Sequence, residues 1–168
     1  VYLIFTNEEN FFGFSEKNVD RKRPEKSKKY PHELDWKLTR VMINLIGLQK
    51  GETVCDPFCG TGTTLLESES MGINAIGIDF DEKMCEISKE NLRINNYKSK
   101  ILKSDFQELV KISKDFDGIV TDLPYGRSSK ASEKPEEILK KFIAIIPKHK
   151  KIAIMYKKEL DPKMKLKG

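Results

Sequence analysis

Short apolar runs alternate with helical patterns from residue 51 to residue 156, and this alternation limits the fold more than any other feature. Strands are predicted at 53–55, 74–78, 99–103, 118–121 and 152–156. Helices are predicted after the first strand, ending near residue 72, and at 82–94, 106–112 and 135–146. Strands separated by helices usually pair in parallel and are covered on both faces. The sequence therefore predicts an α/β fold with a mainly parallel sheet and helices on both faces. The 168 residues suffice for one well-cored domain.

The N-terminal part has a different pattern. Residues 1–14 predict a hairpin, since two apolar runs flank an Asn/Glu turn. A basic segment with two prolines follows, and its charge run at 21–29 suits either a solvated linker or an arm that contacts RNA. A helix then begins near Asp35, the predicted N-cap, with an apolar stripe of Leu38, Val41, Met42 and Leu45. We divide the chain into a hairpin and basic linker (1–30) and an α/β domain (31–168).

Charge and cysteine content narrow the class of protein. The net charge of +5 and the pI near 9.0 fit a polyanionic partner or a lysine-rich solvated surface. Three cysteines without a CxxC pair predict neither a disulfide framework nor a metal site, and they favour a reducing, cytoplasmic setting. No apolar run reaches the roughly 18–20 residues of a membrane span, so no membrane association is expected.

In parallel sheets, ligands bind beyond the carboxyl ends of the strands. The first predicted strand is followed by DPFCGTGTT, residues 56–64, in which Gly60 and Gly62 allow a tight turn into a helix N-terminus. Leu65 occupies the place of the third glycine of a dinucleotide fingerprint, which disfavours a nucleotide-dependent oxidoreductase. Asp56 also disfavours a phosphate ligand, because like charges repel. A carboxylate here suits an amino acid moiety.

Acidic residues also follow the next two strands. Asp79, followed by Phe80, is placed to accept hydrogen bonds from ribose hydroxyls. Asp105 is placed to accept from an adenine amino group, with Phe106 covering the base. Taken alone, each of these acids could instead be a helix N-cap. For Asp105 taken alone, the N-cap is the preferred interpretation. Together, sites for an amino acid, a ribose and an adenine predict S-adenosylmethionine (SAM) as the cofactor.

Two motifs now support a resemblance. DPFCGTG and the later TDLPYG, which begins at residue 121, resemble the DPFxGxG and (D/N)PPY motifs of SAM-dependent amino-methyltransferases. More narrowly, the order KRP, helix, DPFCGTG and DLPYGRSS resembles the archaeal and eukaryotic tRNA guanosine N2-methyltransferases, which carry an RNA-binding THUMP domain in front. The resemblance covers roughly residues 20–156. It implies a Rossmann-like class I methyltransferase fold.

The resemblance also implies site residues. Those for the cofactor are Asp56, Phe58, Gly60, Thr61, Gly62, Asp79, Phe80, Asp105 and Phe106. Those for the acceptor site are Asp122, Pro124 and Tyr125. Residues 31–40 match where such enzymes place a further contact to the methionine end.

An acceptor turn of this kind fits an exocyclic base amine, whose lone pair is delocalised into the ring. Asp122 accepts one N–H and the carbonyl of Pro124, held by its rigid ring, accepts the other. Tyr125 offers a face on which the base stacks. Leu123 stands where the motif has its first proline.

The expected function is methyl transfer from SAM to the N2 amine of a guanine in tRNA. A DNA adenine-N6 or cytosine-N4 methyltransferase and a non-catalytic RNA-binding scaffold of the same fold stay open. We expect a catalytic-domain fragment, because sheets of this class close with a C-terminal hairpin that we do not find. Residues 1–30 then connect to an N-terminal THUMP domain, and a small activating partner protein is a further expectation.

Overall fold

A computed structural model describes residues 2–5, 10–13, 23–27, 33–124 and 134–156. In its N-terminal part, strand β1 (Tyr2–Phe5) pairs antiparallel with β2 (Asn10–Gly13). The predicted hairpin is confirmed, while its turn lies outside the described residues. The division of the chain at residue 30 stays a prediction.

The remaining elements alternate as the sequence predicts. They are α1 (Trp36–Leu45), β3 (Thr53–Asp56), α2 (Thr63–Ser70), β4 (Asn74–Asp79), α3 (Glu82–Ile94), β5 (Lys100–Lys103), a 3-10 helix (Phe106–Val110), β6 (Gly118–Asp122), α4 (Pro135–Ile145) and β7 (Lys151–Met155). The short helix predicted at 106–112 is thus a 3-10 helix that ends earlier. Asp35, Asp81 and Asp105 cap the helices that follow them.

In the described part of the chain, β3 to β7 form a five-stranded sheet in the order β5-β4-β3-β6-β7. All four strand pairings are parallel. The chain runs outward from β3 to β5, and then returns to place β6 on the other side of β3. This reversal creates a crevice between the carboxyl ends of β3 and β6, where ligands of such sheets bind.

Alternate residues of each strand face opposite layers, as the pleat requires. Val54, Ala75 and Val120 pack with α1, α2 and α3 on one face. Their neighbours Cys55, Ile76 and Ile119 pack with α4 and the 3-10 helix on the other. The strands are therefore buried on both sides, which explains their nearly continuous apolar sequences.

The apolar stripe predicted for helix α1 is only partly buried. Met42 is buried, but Leu38, Val41 and Leu45 are 36%, 50% and 76% exposed. They line a groove of about 490 Å³ between α1 and β7. Among the described helices, none is both long and apolar enough to cross a membrane.

Candidate functional site

The strand order brings the predicted acids to one edge of the sheet. Asp56, Asp79 and Asp122 are the last residues of β3, β4 and β6, and β3 lies between the other two strands. Register pairs Asp56 with Gly77, so Asp79 extends two residues beyond it. The crevice therefore has carboxyl groups on three adjacent strands.

The turn after β3 contains the two glycines that the sequence singles out. Gly60 and Gly62 have φ values of +51° and +85°, a region that favours glycine. Gly62 is the N-cap of α2, and a Cβ on it would collide with the Ser88 hydroxyl of α3. A side chain at this position has no room, so the close packing of the turn against α3 requires glycine here.

Asp79 holds this turn from the neighbouring strand. One carboxylate oxygen accepts from the backbone N–H of Gly60 and the other from that of Asp81, both at 2.8 Å. Burial raises the pKa of Asp79, and these two hydrogen bonds counteract the rise. A carboxylate offers about four lone-pair positions, so each oxygen retains capacity for another donor.

The missing third glycine has a structural explanation. That glycine normally lets the helix approach the sheet closely. Here Leu65 points at the sheet instead, and a Cβ on Gly77 of β4 would lie 2.9 Å from Leu65 Cδ2 and 2.8 Å from Cys59 Sγ. The small residue required for close packing is therefore on the strand. Burial also raises the pKa of the Cys59 thiol, so this cysteine acts as a packing residue.

Asp56 lies deeper than the proposed contact with an amino acid suggests. It is 3% exposed, and its Oδ1 accepts from Thr121 Oγ1 at 2.7 Å and from the Phe58 N–H at 3.1 Å. The Thr64 hydroxyl is a further partner. Its carboxylate thus links the glycine turn after β3 to the end of β6.

Burial is the main reason that the pKa of Asp56 rises from 3.8 to about 6. The hydrogen bonds from Thr64, Thr121 and Phe58 oppose the rise, and the nearby negative charge of Asp122 adds to it. The carboxyl groups at the ends of β3 and β6 therefore interact electrostatically across the crevice.

Three aromatic rings meet beside the turn. The ring of Phe58 lies 5.1 Å from that of Phe106 and 5.6 Å from that of Phe142 on α4, centroid to centroid. Asp105, next to Phe106, is exposed and caps the 3-10 helix through the N–H of Gln107. Phe80 is 46% exposed. Aromatic surface therefore flanks the carboxyl ends of β4 and β5, where an adenine is predicted.

At the acceptor turn, Asp122 and Pro124 are half-buried. Leu123 explains the departure from the PPY motif, because its N–H donates to the carbonyl of Met155 on β7 at 3.2 Å and its side chain is 2% exposed. A proline has no N–H to make this bond. Tyr125 lies outside the described residues.

The structure adds two candidate functional residues that the sequence analysis did not name, Lys26 and Glu33. They form a 2.6 Å ion pair, and both contact Thr61 of the glycine turn. Lys26 lies within the basic charge run, so no local signal separates it from its solvated neighbours. The match of residues 31–40 to a cofactor-contacting segment was the one pointer to Glu33. Over the described ranges, no cluster of three His, Cys, Asp or Glu side chains could hold a metal.

Comparison with known proteins identifies relatives of this chain. The chain is 39% identical over 134 residues to the tRNA (guanine(10)-N2)-dimethyltransferase of Methanothermobacter thermautotrophicus, covering 77% of this chain and 39% of that protein. It is 35% identical over 141 residues to the protein of the same name from Methanocaldococcus jannaschii, covering 79% and 40%. The chain thus spans about two fifths of the length of these curated relatives.

The crystal structure of TrmN from Thermus thermophilus superposes with a TM-score of 0.58 at 23% identity, covering 72% of this chain and 38% of that one. This likeness confirms the Rossmann-like methyltransferase fold. The family described as RMKL-like, methyltransferase domain (UPF0020) matches residues 23–164. The chain belongs to this family of methyltransferase domains.

Proposed function

We propose that this chain transfers a methyl group from SAM to the exocyclic N2 amine of a guanine in tRNA. The observation that carries the proposal is the crevice itself. The strands that lead into its glycine turn and its acceptor turn are joined by the 2.7 Å bond between Asp56 and Thr121, which would hold the proposed donor site beside the proposed acceptor site. The names of the relatives in Methanothermobacter and Methanocaldococcus support guanine N2 in tRNA as the target.

The residues present fit the cofactor. A Cβ built on Gly60 meets nothing within 4 Å, so the turn borders open space, and the N-terminus of α2 favours a negatively charged group such as the methionine carboxylate. Asp79 is the proposed partner of the ribose, with Phe80 beside it. Asp105 and Phe106 are the proposed contacts to adenine.

Around the glycine turn, Phe58, Thr61 and Gly62 would line the methionine end. Asp56 would act there through its bonds to Phe58 and Thr64, since its Oδ1 already accepts two protein donors. When bound, SAM supplies an electrophilic methyl on a sulfonium. The chain itself contributes position and electrostatics rather than a reactive group.

In the acceptor site, Asp122 and the Pro124 carbonyl would accept the two N–H groups of the guanine amine. This turns the nitrogen lone pair towards the methyl group. Tyr125 would stack on the base, a contact worth on the order of 1–3 kcal/mol. The cofactor would supply the methyl group and keep the electrons of its S–C bond, the amine nitrogen would gain the new N–C bond, and the methylated amine would release its surplus proton to solvent. No strong general base is required.

The curated relatives are longer, so recognition of a whole tRNA also involves parts outside this chain in the proposal. An N-terminal THUMP domain and a small activating partner are the proposed additions. The cell compartment proposed is the cytoplasm, where tRNA is the available polyanion for this basic chain.

The test measures methyl transfer from radiolabelled SAM to unmodified tRNA and to duplex DNA, with the product nucleosides identified by mass spectrometry. We expect N2-methylated guanosine from tRNA, and a rate at least about 100-fold lower for Asp122→Ala, the size of effect seen on removing one electrostatic contact of a transition state. Lys114→Ala, a surface change in the turn before β6, is the control. Methylated adenine or cytosine in DNA would support the DNA enzyme instead. Binding of SAM and RNA without transfer would support the scaffold.

A further inference from the structure

Residues 23–27, which we call the strap, lie against the domain through the side chains of Asn91 in α3 and of Asn95, which caps the C-terminus of α3. The N–H of Glu25 donates to Asn95 Oδ1 at 2.9 Å, and Asn95 Nδ2 returns a bond to the Glu25 carbonyl at 2.8 Å. The N–H and hydroxyl of Ser27 both donate to Asn91 Oδ1, at 2.9 and 3.0 Å. Two asparagines one helical turn apart thus fix the backbone of the strap.

Between these anchors, the side chain of Lys26 enters the domain and is only 4% exposed. Its ammonium lies 2.6 Å from Glu33 Oε2, 2.5 Å from Thr63 Oγ1 and 3.4 Å from Thr61 Oγ1. These three acceptors match the three donors of an ammonium. The two threonines flank Gly62, so the lysine reaches both sides of the glycine turn.

Glu33 and Asn91 complete the enclosure of Thr61. Glu33 Oε1 accepts from the Thr61 hydroxyl at 2.5 Å, and Asn91 Nδ2 donates to the Thr61 carbonyl at 2.9 Å. The same Asn91 therefore holds both the strap and the turn. The strap, the segment before α1, α3 and the glycine turn form one hydrogen-bonded unit.

Such an arrangement constrains geometry because a buried ammonium is costly unless all its partners are in place. Burial lowers the pKa of Lys26, and the bond to Glu33 counteracts this. Gly62 has no side chain with which to cap α2. The position of the first turn of α2 therefore depends on groups outside that helix, and Lys26 contacts both flanking threonines.

We propose that Lys26, clamped by Glu33, is a positioning residue for cofactor binding. Its ammonium fixes the turn from Thr61 to Thr63 in the shape that receives the methionine end of the cofactor. The inference rests on the proposed function for the identity of that ligand. It also implies reciprocity, since whatever docks the strap strengthens cofactor binding and the cofactor in turn stabilises the docked strap.

The first experiment titrates the 168-residue chain with S-adenosylhomocysteine by calorimetry. We expect Lys26→Met, which keeps the length of the side chain and removes the ammonium, to raise Kd at least about tenfold, the equivalent of about 1.4 kcal/mol. The rate of a single turnover at saturating SAM should stay within about twofold of the original. Lys151→Met is the matched control. Lys151 is an exposed lysine at the start of β7, at the amino end of the strands, where it donates to the Gly47 carbonyl.

The second experiment needs no variant and so does not depend on whether Lys26→Met folds. Hydrogen exchange of the unaltered chain is followed with and without S-adenosylhomocysteine. The amides of Glu25 and Ser27, which donate to Asn95 and Asn91, should exchange more slowly with the ligand bound. If Lys26 were merely structural, replacing it would lower the melting temperature but leave Kd unchanged. In the unaltered chain, the strap amides would then exchange at the same rate with and without the ligand.

The outcomes separate the inference from the function. An unchanged Kd in Lys26→Met, or strap amides indifferent to the ligand, overturns the positioning role while leaving the enzyme intact. Failure of the unaltered chain to bind S-adenosylhomocysteine overturns both. The expected Kd and exchange results without methylation of tRNA overturn the proposed substrate and support the positioning role.

Discussion

The buried carboxyl group of Asp56 leads to a quantitative prediction about stability and pH. Its pKa in the folded chain is about 6 compared with an ordinary 3.8, so folding disfavours its ionised form. One pKa unit is equivalent to about 1.4 kcal/mol, and the folded state therefore loses about 3 kcal/mol when Asp56 is ionised. This is an upper value, because water that enters the site would reduce it.

The sign follows from linkage. Because the folded pKa is raised, the contribution of Asp56 is complete below about pH 3.8 and is lost as the pH rises through about 6. Asp56→Asn removes the ionisation while its Oδ1 can still accept from Thr121 and Phe58. Its amide can donate to Thr64, whose hydroxyl both donates and accepts.

We therefore expect Asp56→Asn to gain stability relative to the unaltered chain as the pH rises. The difference in free energy of unfolding should grow by about 2.5 kcal/mol between pH 4 and pH 8, with its midpoint near pH 5, halfway between the unfolded and folded pKa values, and should level off above about pH 6. Urea denaturation of both proteins at half-unit pH intervals measures it, and the subtraction cancels every carboxyl group the two share. A difference that stays constant across this range would refute the reasoning.

Two further variants should move the midpoint in opposite directions. Thr121→Val removes a hydrogen bond that lowers the pKa of Asp56, so the midpoint should rise. Asp122→Asn removes a negative charge that raises this pKa, so the midpoint should fall. Movement of both in the same direction would show that the titration belongs to another group.

Three other predictions concern the turn and its supports. Asp79→Ala should weaken binding of S-adenosylhomocysteine about 10- to 150-fold in calorimetry, since a hydrogen bond to a charged group is worth about 1.5–3 kcal/mol; an unchanged Kd would exclude a ribose contact. Gly62→Ala should destabilise the chain by roughly 2 kcal/mol or more in urea denaturation, through backbone strain and the collision with Ser88. Adding Ser88→Ala should recover the part due to the collision, and no recovery would contradict the contact. Arg40→Met should cost about 3–5 kcal/mol, because it leaves the 3% exposed side chain of Glu67 without its cation; pairing it with Glu67→Leu should restore most of the loss, and an equally unstable double variant would refute this account.

Several features of the fold follow from short-range patterns alone. The alternation of strands and helices predicted the parallel sheet, because the period of apolar residues and the helix breakers act within a few residues. The N-caps at Asp35 and Asp105 and the glycine turn are likewise local, since each depends on the backbone next to it. Even Asp79 was placed at the correct strand end by this local reasoning.

Other features depend on which distant segments meet. Asp56 and Thr121 are 65 residues apart, and only the insertion of β6 beside β3 makes them partners. In the sequence, Leu65 departs from the dinucleotide-binding motif. In the structure, Gly77 of the next strand provides the space that the missing glycine would give. Leu123 similarly replaces a proline because its N–H is needed by β7.

Lys26 shows the difference most clearly. In the sequence it belongs to a charge run that suits a solvated linker, yet its side chain is 4% exposed and contacts Glu33 and two threonines of the glycine turn. Residue type and local periodicity determine which elements form and where polar groups follow strands. Burial of a charge is a property of three-dimensional surroundings, because desolvation and its compensation depend on groups that only the folded chain brings together.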